Sequence, residues 1–200
     1  MCTAAILAGG RGRRMGGRPK ALLPIGRGRI IDNQLAVLQA VADHVAIVAN
    51  DTELYAALGV PVWPDTREGY GPLGGILTAL VNSATPTALI IAGDMPFLTV
   101  AFLKHLVEAG EGFDIAIPCT SDGYQPLCAT YSRGCIAPIR HSLDSGRLKV
   151  TDLLAAVSVH ELGTDEIAPF DPDGMLFFNI NTPGDYAHGL QTARRRHGEG

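Results

Sequence analysis

The sequence predicts an α/β fold: one three-layer domain around a mostly parallel sheet. Two observations carry that expectation. Continuous apolar runs of strand length recur through the first half of the chain, as strands covered on both faces require. Amphipathic helical patterns alternate with them, the order of a doubly wound sheet.

The first strand covers residues 3–8 and runs into Gly9-Gly10-Arg11-Gly12. Ile31, Leu35, Leu38 and Val41 then sit at helical spacing. Residues 45–49 form a second apolar run ending at Asn50-Asp51, and residues 60–63 a shorter one ending at Pro64-Asp65. Leu73, Ile76, Leu77, Leu80 and Val81 draw the stripe of an amphipathic helix, with Pro72 suited to its first turn. Residues 87–92 are nearly all apolar and end at Gly93-Asp94. Thr99 is placed to cap a helix through Val107. Residues 111–180 are less regular; 114–118, 126–131 and 176–180 read as strands, some of them antiparallel additions. Thr182-Pro183-Gly184-Asp185 reads as cap, first-turn proline and first-turn acid of a last helix. The domain is expected over 1–193, with 194–200 fraying as a disordered tail.

With 200 residues, 46% hydrophobic and 18% charged, the chain buries a core without disulfides and is not disordered. The 24 glycines and 13 prolines follow no period, which excludes collagen and solenoids. No apolar stretch is long enough to cross a bilayer, and the first run lacks the basic lead of a secretory signal. Cys2, Cys119, Cys128 and Cys135 form no CxxC pair and read as buried free thiols of a cytoplasmic protein. The six histidines are scattered without a motif.

Charge is uneven. Residues 1–31 hold seven of the 16 basic side chains and none of the 20 acidic ones. A basic segment on an acidic body points to a small anionic ligand held at one place. A pI near 5.8 leaves no broad basic face for nucleic acid.

In open α/β sheets ligands bind beyond the carboxyl ends of the strands. The segment from Gly9 to Lys20, Asn50, Asp65 and Asp94 all follow predicted strands at that end, so they should meet in one crevice. Between Gly9 and Lys20, glycines leave backbone N–H groups open to phosphate oxygens, and Arg11, Arg13, Arg14 and Arg18 supply positive charge. The segment is not a P-loop, since no GK[ST] follows, nor a Rossmann fingerprint, since Met15 stands where the third glycine belongs. Asp94 could be a turn or capping residue; Thr99, as the cap, frees it for another role. Were Asp65 and Asp94 within about 4 Å at an effective dielectric near 20, they would repel by roughly 4 kcal/mol. A Mg²⁺ ion shared with phosphates would remove that repulsion. The glycines of Gly71-Pro72-Leu73-Gly74-Gly75 imply close backbone approach, to a neighbouring strand or to a ligand. Asn179 and Asn181 would share one face of a strand and wall an acceptor site, with Gln125 beside them; turn chemistry around Thr182 is the plainer alternative.

Leu7-Ala8-Gly9-Gly10 through Arg14-Met15-Gly16-Gly17 and Lys20, Gly71-Pro72-Leu73-Gly74-Gly75, Asp94-Met95-Pro96 and Asn179-Ile180-Asn181-Thr182-Pro183 together resemble the molybdenum cofactor guanylyltransferases, in that family's order and over nearly the whole chain. The resemblance implies a Rossmann-like nucleotidyltransferase domain that moves GMP from GTP to the terminal phosphate of Mo-molybdopterin and releases pyrophosphate. It implies Leu7, Ala8 and Gly9, with Gly10, at the guanine and ribose, Lys20 on the triphosphate, Asp65 and Asn50 near GTP, and Asp94 on both GTP and Mg²⁺. Lys20 and Asp94 are then the catalytic pair. Partners would be the two substrates, with molybdopterin-loading and molybdoenzyme acceptor proteins on either side, and neither nucleic acid nor membrane. Pro19 departs from the family's usual aspartate and matches cytidylyl and sugar-nucleotidyl relatives, whereas Gly9 matches the guanylyl pattern. A CTP-dependent transferase acting on molybdopterin or a sugar phosphate, and a non-catalytic nucleotide-binding regulator, are the alternatives.

Overall fold

In a computed structural model that describes residues 1–9, 19–66, 69–196 and 198, the apolar runs become one sheet. β1 (Thr3–Leu7) leads, after the undescribed basic segment, to a small hairpin of β2 (Pro24–Ile25) and β3 (Gly28–Arg29), and then to α1 (Ile30–Gln39). β4 (His44–Val48), α2 (Thr52–Tyr55), β5 (Val62–Trp63), α3 (Gly71–Asn82), β6 (Thr87–Ala92) and α4 (Val100–Ala109) continue the alternation. The second half adds β7 (Ile115–Thr120), β8 (Gly123–Tyr124), β9 (Cys128–Ser132), α5 (Ile136–Asp144), β10 (Val159–Leu162), α6 (Thr164–Ile167) and α7 (Pro183–Arg196).

The strand order is β10-β7-β9-β6-β1-β4-β5, with β8 paired to β7. β6, β1, β4 and β5 are parallel to one another. β9 runs antiparallel to both β6 and β7, and β10 is parallel to β7. Alternate residues feed the two faces. Ala4, Ile6, Ile47, Leu89 and Ile91 pack with Leu35 and Leu38 of α1 and Phe102 and Leu106 of α4. Ala5, Val48, Ala88 and Ile90 pack with Leu73, Ile76 and Leu80 of α3 and Ile139 and Leu143 of α5. Burial on both faces is why these strands read as unbroken apolar runs rather than alternating ones.

Register sets the site. Trp63 pairs with Val48, Val48 with Leu7, and Leu7 with Ala92, so four strand tips end in one row. The chain goes from β1 to β4 on one side and later to β6 on the other, so a switch point lies at β1, where open α/β sheets hold ligands.

The structure departs from the sequence reading at three places. Residues 176–180 are not a strand. Their backbone bonds go to turns, with Ile180 N donating to Asp94 O and Leu176 N to Asp171 Oδ1. Leu176 and Phe177 pack into the core beside Phe102, whereas Phe178 and Ile180 join a separate apolar cluster with Ile25, Ile30 and Phe97, and burial in both gives the segment its strand-like hydrophobicity. α5 and β10 are elements the sequence reading did not predict; α5 carries Pro138, Arg140 and His141 among its apolar positions, and β10 reads Val-His-Glu-Leu. Residues 194–196, expected in the tail, are helical and belong to α7. Arg196 makes a two-nitrogen fork to Asp173, with contacts of 2.7 to 3.1 Å, and its guanidinium lies 4.7 Å from the Phe97 ring centroid. Thr99 caps α4 as its position predicts, accepting from Phe102 N. Among the described residues, no helix is long and apolar enough to cross a membrane.

Asp114 fastens the second half of the sheet. Ser132 Oγ donates to its Oδ1 at 2.7 Å, and Ser158 N and Oγ donate to its Oδ2 at 3.1 and 2.8 Å. These bonds, that of Ser132 first, hold its pKa below the usual carboxylate range. The clasp therefore stabilises the fold above the ordinary aspartate value, about 3.9, and is lost as pH falls through the lower folded value. Asp114→Ala should lower the unfolding free energy by about 1–3 kcal/mol at neutral pH. Urea melts should show that deficit shrinking below pH ~4; a constant deficit across this range would contradict the clasp.

Candidate active site

A cavity of about 750 Å³ opens over the row of strand tips, within the range that holds small-molecule ligands. Leu7, Ala8 and Gly9 line it from β1, Asn50 from β4, Asp65 from β5 and Asp94 from β6. Lys20 enters from a short 3-10 turn (Lys20–Leu22) that follows the undescribed segment. Gly10, Arg11, Arg13, Arg14 and Arg18 lie outside the described residues.

The tips are locked to one another. Ala8 N donates to Val48 O, and Gly93 N donates to Leu7 O. Tyr55, buried from α2, donates its hydroxyl to Ala8 O at 3.3 Å. Burial pushes that phenol up to about 12, so it stays a donor at physiological pH. Asn50 Oδ1 accepts from Asp65 N at 2.9 Å, which ties the end of β4 to the end of β5. Beyond Asp65, Thr66 N donates to Thr78 Oγ1 and moors the same segment to α3.

Lys20 and Asp94 meet at the cavity wall. Lys20 Nζ donates to Asp94 Oδ2 at 3.1 Å and to Asn181 Oδ1 at 2.6 Å, with about a fifth of each charged side chain exposed. Asn181 is in turn fixed by the start of α7, where Asp185 Oδ2 accepts from Asn181 N and Thr182 N, and Thr182 Oγ1 accepts from Asp185 N. The same bonds hold the Asp185 carboxyl below its usual range.

Asn179 and Asn181 do not act as a pair. Without a strand at 176–180 the two-residue alternation fails, and the Asn179 amide turns back to Phe177 O. Gln125 likewise closes its own turn, bonding Thr120 Oγ1 and Gly123 O. Gly75 meets the strand: a Cβ there would stand 3.2 Å from the Leu7 side chain, although Gly75 also borders the cavity. Gly71, at the cavity rim, has φ +59, a conformation that favours glycine. Sequence reasoning missed Tyr55, and it also missed Gln34, a polar residue on the apolar stripe of α1; that misfit was the available signal.

A parallel sheet whose tips bring Gly9, Lys20, Asp65 and Asp94 around one cavity is the arrangement of a nucleotidyltransferase. The chain belongs to the MobA-like NTP transferase family, whose domain model matches residues 4–160. It is 40% identical over 183 residues to a probable molybdenum cofactor guanylyltransferase of Pelotomaculum thermopropionicum, covering 92% of this chain and 89% of that one. It is 34% identical to a molybdenum cofactor guanylyltransferase of Desulfosudis oleivorans, covering 90% of each. The crystal structure of molybdopterin-guanine dinucleotide biosynthesis protein A from Archaeoglobus fulgidus superimposes with a TM-score of 0.84 at 27% identity, covering 96% of this chain and 99% of that one.

Two glycines at the strand tips should respond differently to the same substitution. A Cβ at Gly9 would meet nothing closer than Asp65 Oδ2 at 4.0 Å, whereas one at Gly93 would stand 3.2 Å from both Ala21 Cβ and Leu7 O. Thermal unfolding should show Gly9→Ala close to the parent and Gly93→Ala destabilised by about 1–3 kcal/mol, as overpacking against backbone costs. Equal melting of the two variants would refute the tight packing of β6 on β1.

Proposed function

We propose that this chain transfers GMP from GTP to the terminal phosphate of Mo-molybdopterin and releases pyrophosphate. The observation that carries this reading is the Lys20–Asp94 contact on the wall of the cavity that Gly9 also lines. The names of its relatives point to the same reaction.

The acceptor phosphate oxygen attacks the α-phosphorus of GTP. A new P–O bond forms there, the bond to the β-phosphate breaks, and pyrophosphate leaves with the electron pair. The attacking phosphate is ionised near neutral pH, so the chain needs no general base. Its work is to align two anions and offset their repulsion. Leu7, Ala8 and Gly9 offer the tip of β1 to the purine and ribose. Lys20 holds the triphosphate, and Asn181 keeps its ammonium aimed. Asp65 faces the nucleotide, with Asn50 fixing it in place.

The donor set fits Mg²⁺. Among the described residues, no cluster of three or more His, Cys, Asp or Glu could hold a metal by itself. Mg²⁺ with nucleotides commonly uses one or two carboxylates plus phosphate oxygens, and Asp65 and Asp94 border one cavity. Asp94 would hold the ion; when bound, it supplies positive charge to the α-phosphate and the departing pyrophosphate. The same reading places the chain in a reducing cytoplasm, in keeping with four free cysteines. It also implies proteins that load molybdopterin and molybdoenzymes that accept the product.

Incubation with GTP, Mg²⁺ and Mo-molybdopterin should release pyrophosphate. Asp94→Ala should abolish that release and Lys20→Ala should slow it at least a hundredfold, on the scale of losing one preorganised charge contact, about 10²–10³. Near-normal rates in either variant would break the assignment. Base choice is read at Gly9, where an added methyl projects toward Asp65 inside the cavity. Gly9→Ala should lower kcat/KM for GTP more than for CTP; unchanged selectivity in a competition assay would move the base elsewhere.

A further inference from the structure

The turn that carries Asp94 is held through its own backbone by several distant parts of the fold. Ala92 N donates to Leu127 O at 2.8 Å, Gly93 N to Leu7 O at 3.0 Å, and Ile180 N donates to Asp94 O at 3.0 Å. The carbonyls of Ala92 and Met95 accept from one nitrogen, Gln34 Nε2, at 2.7 and 3.0 Å. Of these bonds, only those of Gln34 come from a side chain.

Gln34 is only 3% exposed and sits among the apolar positions of α1. Both of its partners are carbonyl oxygens, so the amide nitrogen must face them and Oε1 must point away. Oε1 is buried with no hydrogen-bond partner among the described residues. A bare buried acceptor is a penalty that leucine or methionine would avoid at similar volume. What glutamine supplies in return is two donors on one atom. Its place in the chain gives those donors a use. α1 follows the segment that carries Lys20, and Ile30 N at the start of α1 bonds Leu23 O at the end of the Lys20 turn. One side chain thus links the segment that carries the cavity's lysine to the turn that carries its aspartate.

We propose that Gln34 is a positioning residue: its amide clamps the two carbonyls flanking Gly93-Asp94 and thereby fixes the Asp94 carboxylate relative to Lys20. This rests on the reading of Asp94 as the carboxylate that serves the triphosphate. Gln34 touches no substrate; it acts through the turn.

Gln34→Met removes both donors and keeps the length. Gln34→Glu keeps one donor while its carboxyl is protonated, a form that burial against two carbonyls favours. Two readouts apply to both variants: deuterium uptake by the peptide covering residues 92–95, and the kinetics of pyrophosphate release from GTP and Mo-molybdopterin. Gln34→Met should exchange at least fivefold faster at the turn and lose about tenfold in kcat, with KM for GTP within twofold of the parent. Gln34→Glu should approach parental kcat near pH 6 and decline toward the Gln34→Met level as pH rises, a profile that general loss of packing would not produce. Faster exchange in Gln34→Met beside a parent protein that turns over no GTP would uphold the clamp and sink the functional reading. Unchanged exchange, a Gln34→Met kcat within twofold of the parent, or a Gln34→Glu profile parallel to the parent's would overturn the role of Gln34.

Discussion

The level register of four parallel strands is the constraint from which the site follows. Trp63, Val48, Leu7 and Ala92 are Cα partners across the sheet. Whatever follows each of them therefore emerges along one edge. A slip of one residue at β6 would turn its side chains to the opposite faces and misplace Asp94. The slip is prevented by burial on both faces, because Leu89 and Ile91 belong to one core and Ala88 and Ile90 to the other. The apolar core is thus what gives the polar site its geometry. Gly93 adds a local lock, since a Cβ there would crowd the Leu7 carbonyl oxygen at 3.2 Å where β6 closes on β1.

Gathering acids at one edge has an electrostatic cost, and the chain offsets it locally. Asp94 meets Lys20, whose ammonium is shared with the neutral oxygen of Asn181 rather than with a second acid. That arrangement adds no second negative charge at the ammonium for an incoming phosphate to compete with. Partial burial of the pair strengthens the interaction over that of an exposed one and protects it from salt. The C-terminal segment serves the same end: residues 173–181 run past the Asp94 turn, Arg196 pins Asp173, and the start of α7 presents Asn181.

The parallel half of the fold was legible because its strands are buried on both faces and its turns carry glycine and aspartate. The segments that end at Gly9, Asn50, Asp65 and Asp94 could be assigned to one crevice for that reason, without side-chain detail. Residues 111–180 were less legible. The run at 176–180 is apolar because Leu176 and Phe177 fill the main core and Phe178 and Ile180 cover Phe97 and the hairpin, not because it pairs in a sheet, and periodicity does not separate those causes. α5 and β10 are half exposed and mixed in character. Asn181 was found for the wrong geometric reason, since strand alternation put it beside Asn179 when a capping box at Asp185 aims it at Lys20. Contacts such as Tyr55 to Ala8 O and Gln34 to Ala92 O join residues 47 and 58 positions apart, and no local pattern encodes a partner at that distance.

Crystals grown with Mg²⁺ and a non-hydrolysable GTP analogue would test the convergence of the strand tips most directly. The triphosphate should lie over the β1 tip within hydrogen-bonding distance of Lys20 Nζ, with Asp94 facing the metal and the purine beside Gly9. A nucleotide seated instead in the groove at the opposite end of the sheet, lined by Thr3, His44 and Pro61, with the Lys20–Asp94 contact undisturbed, would contradict the whole assignment.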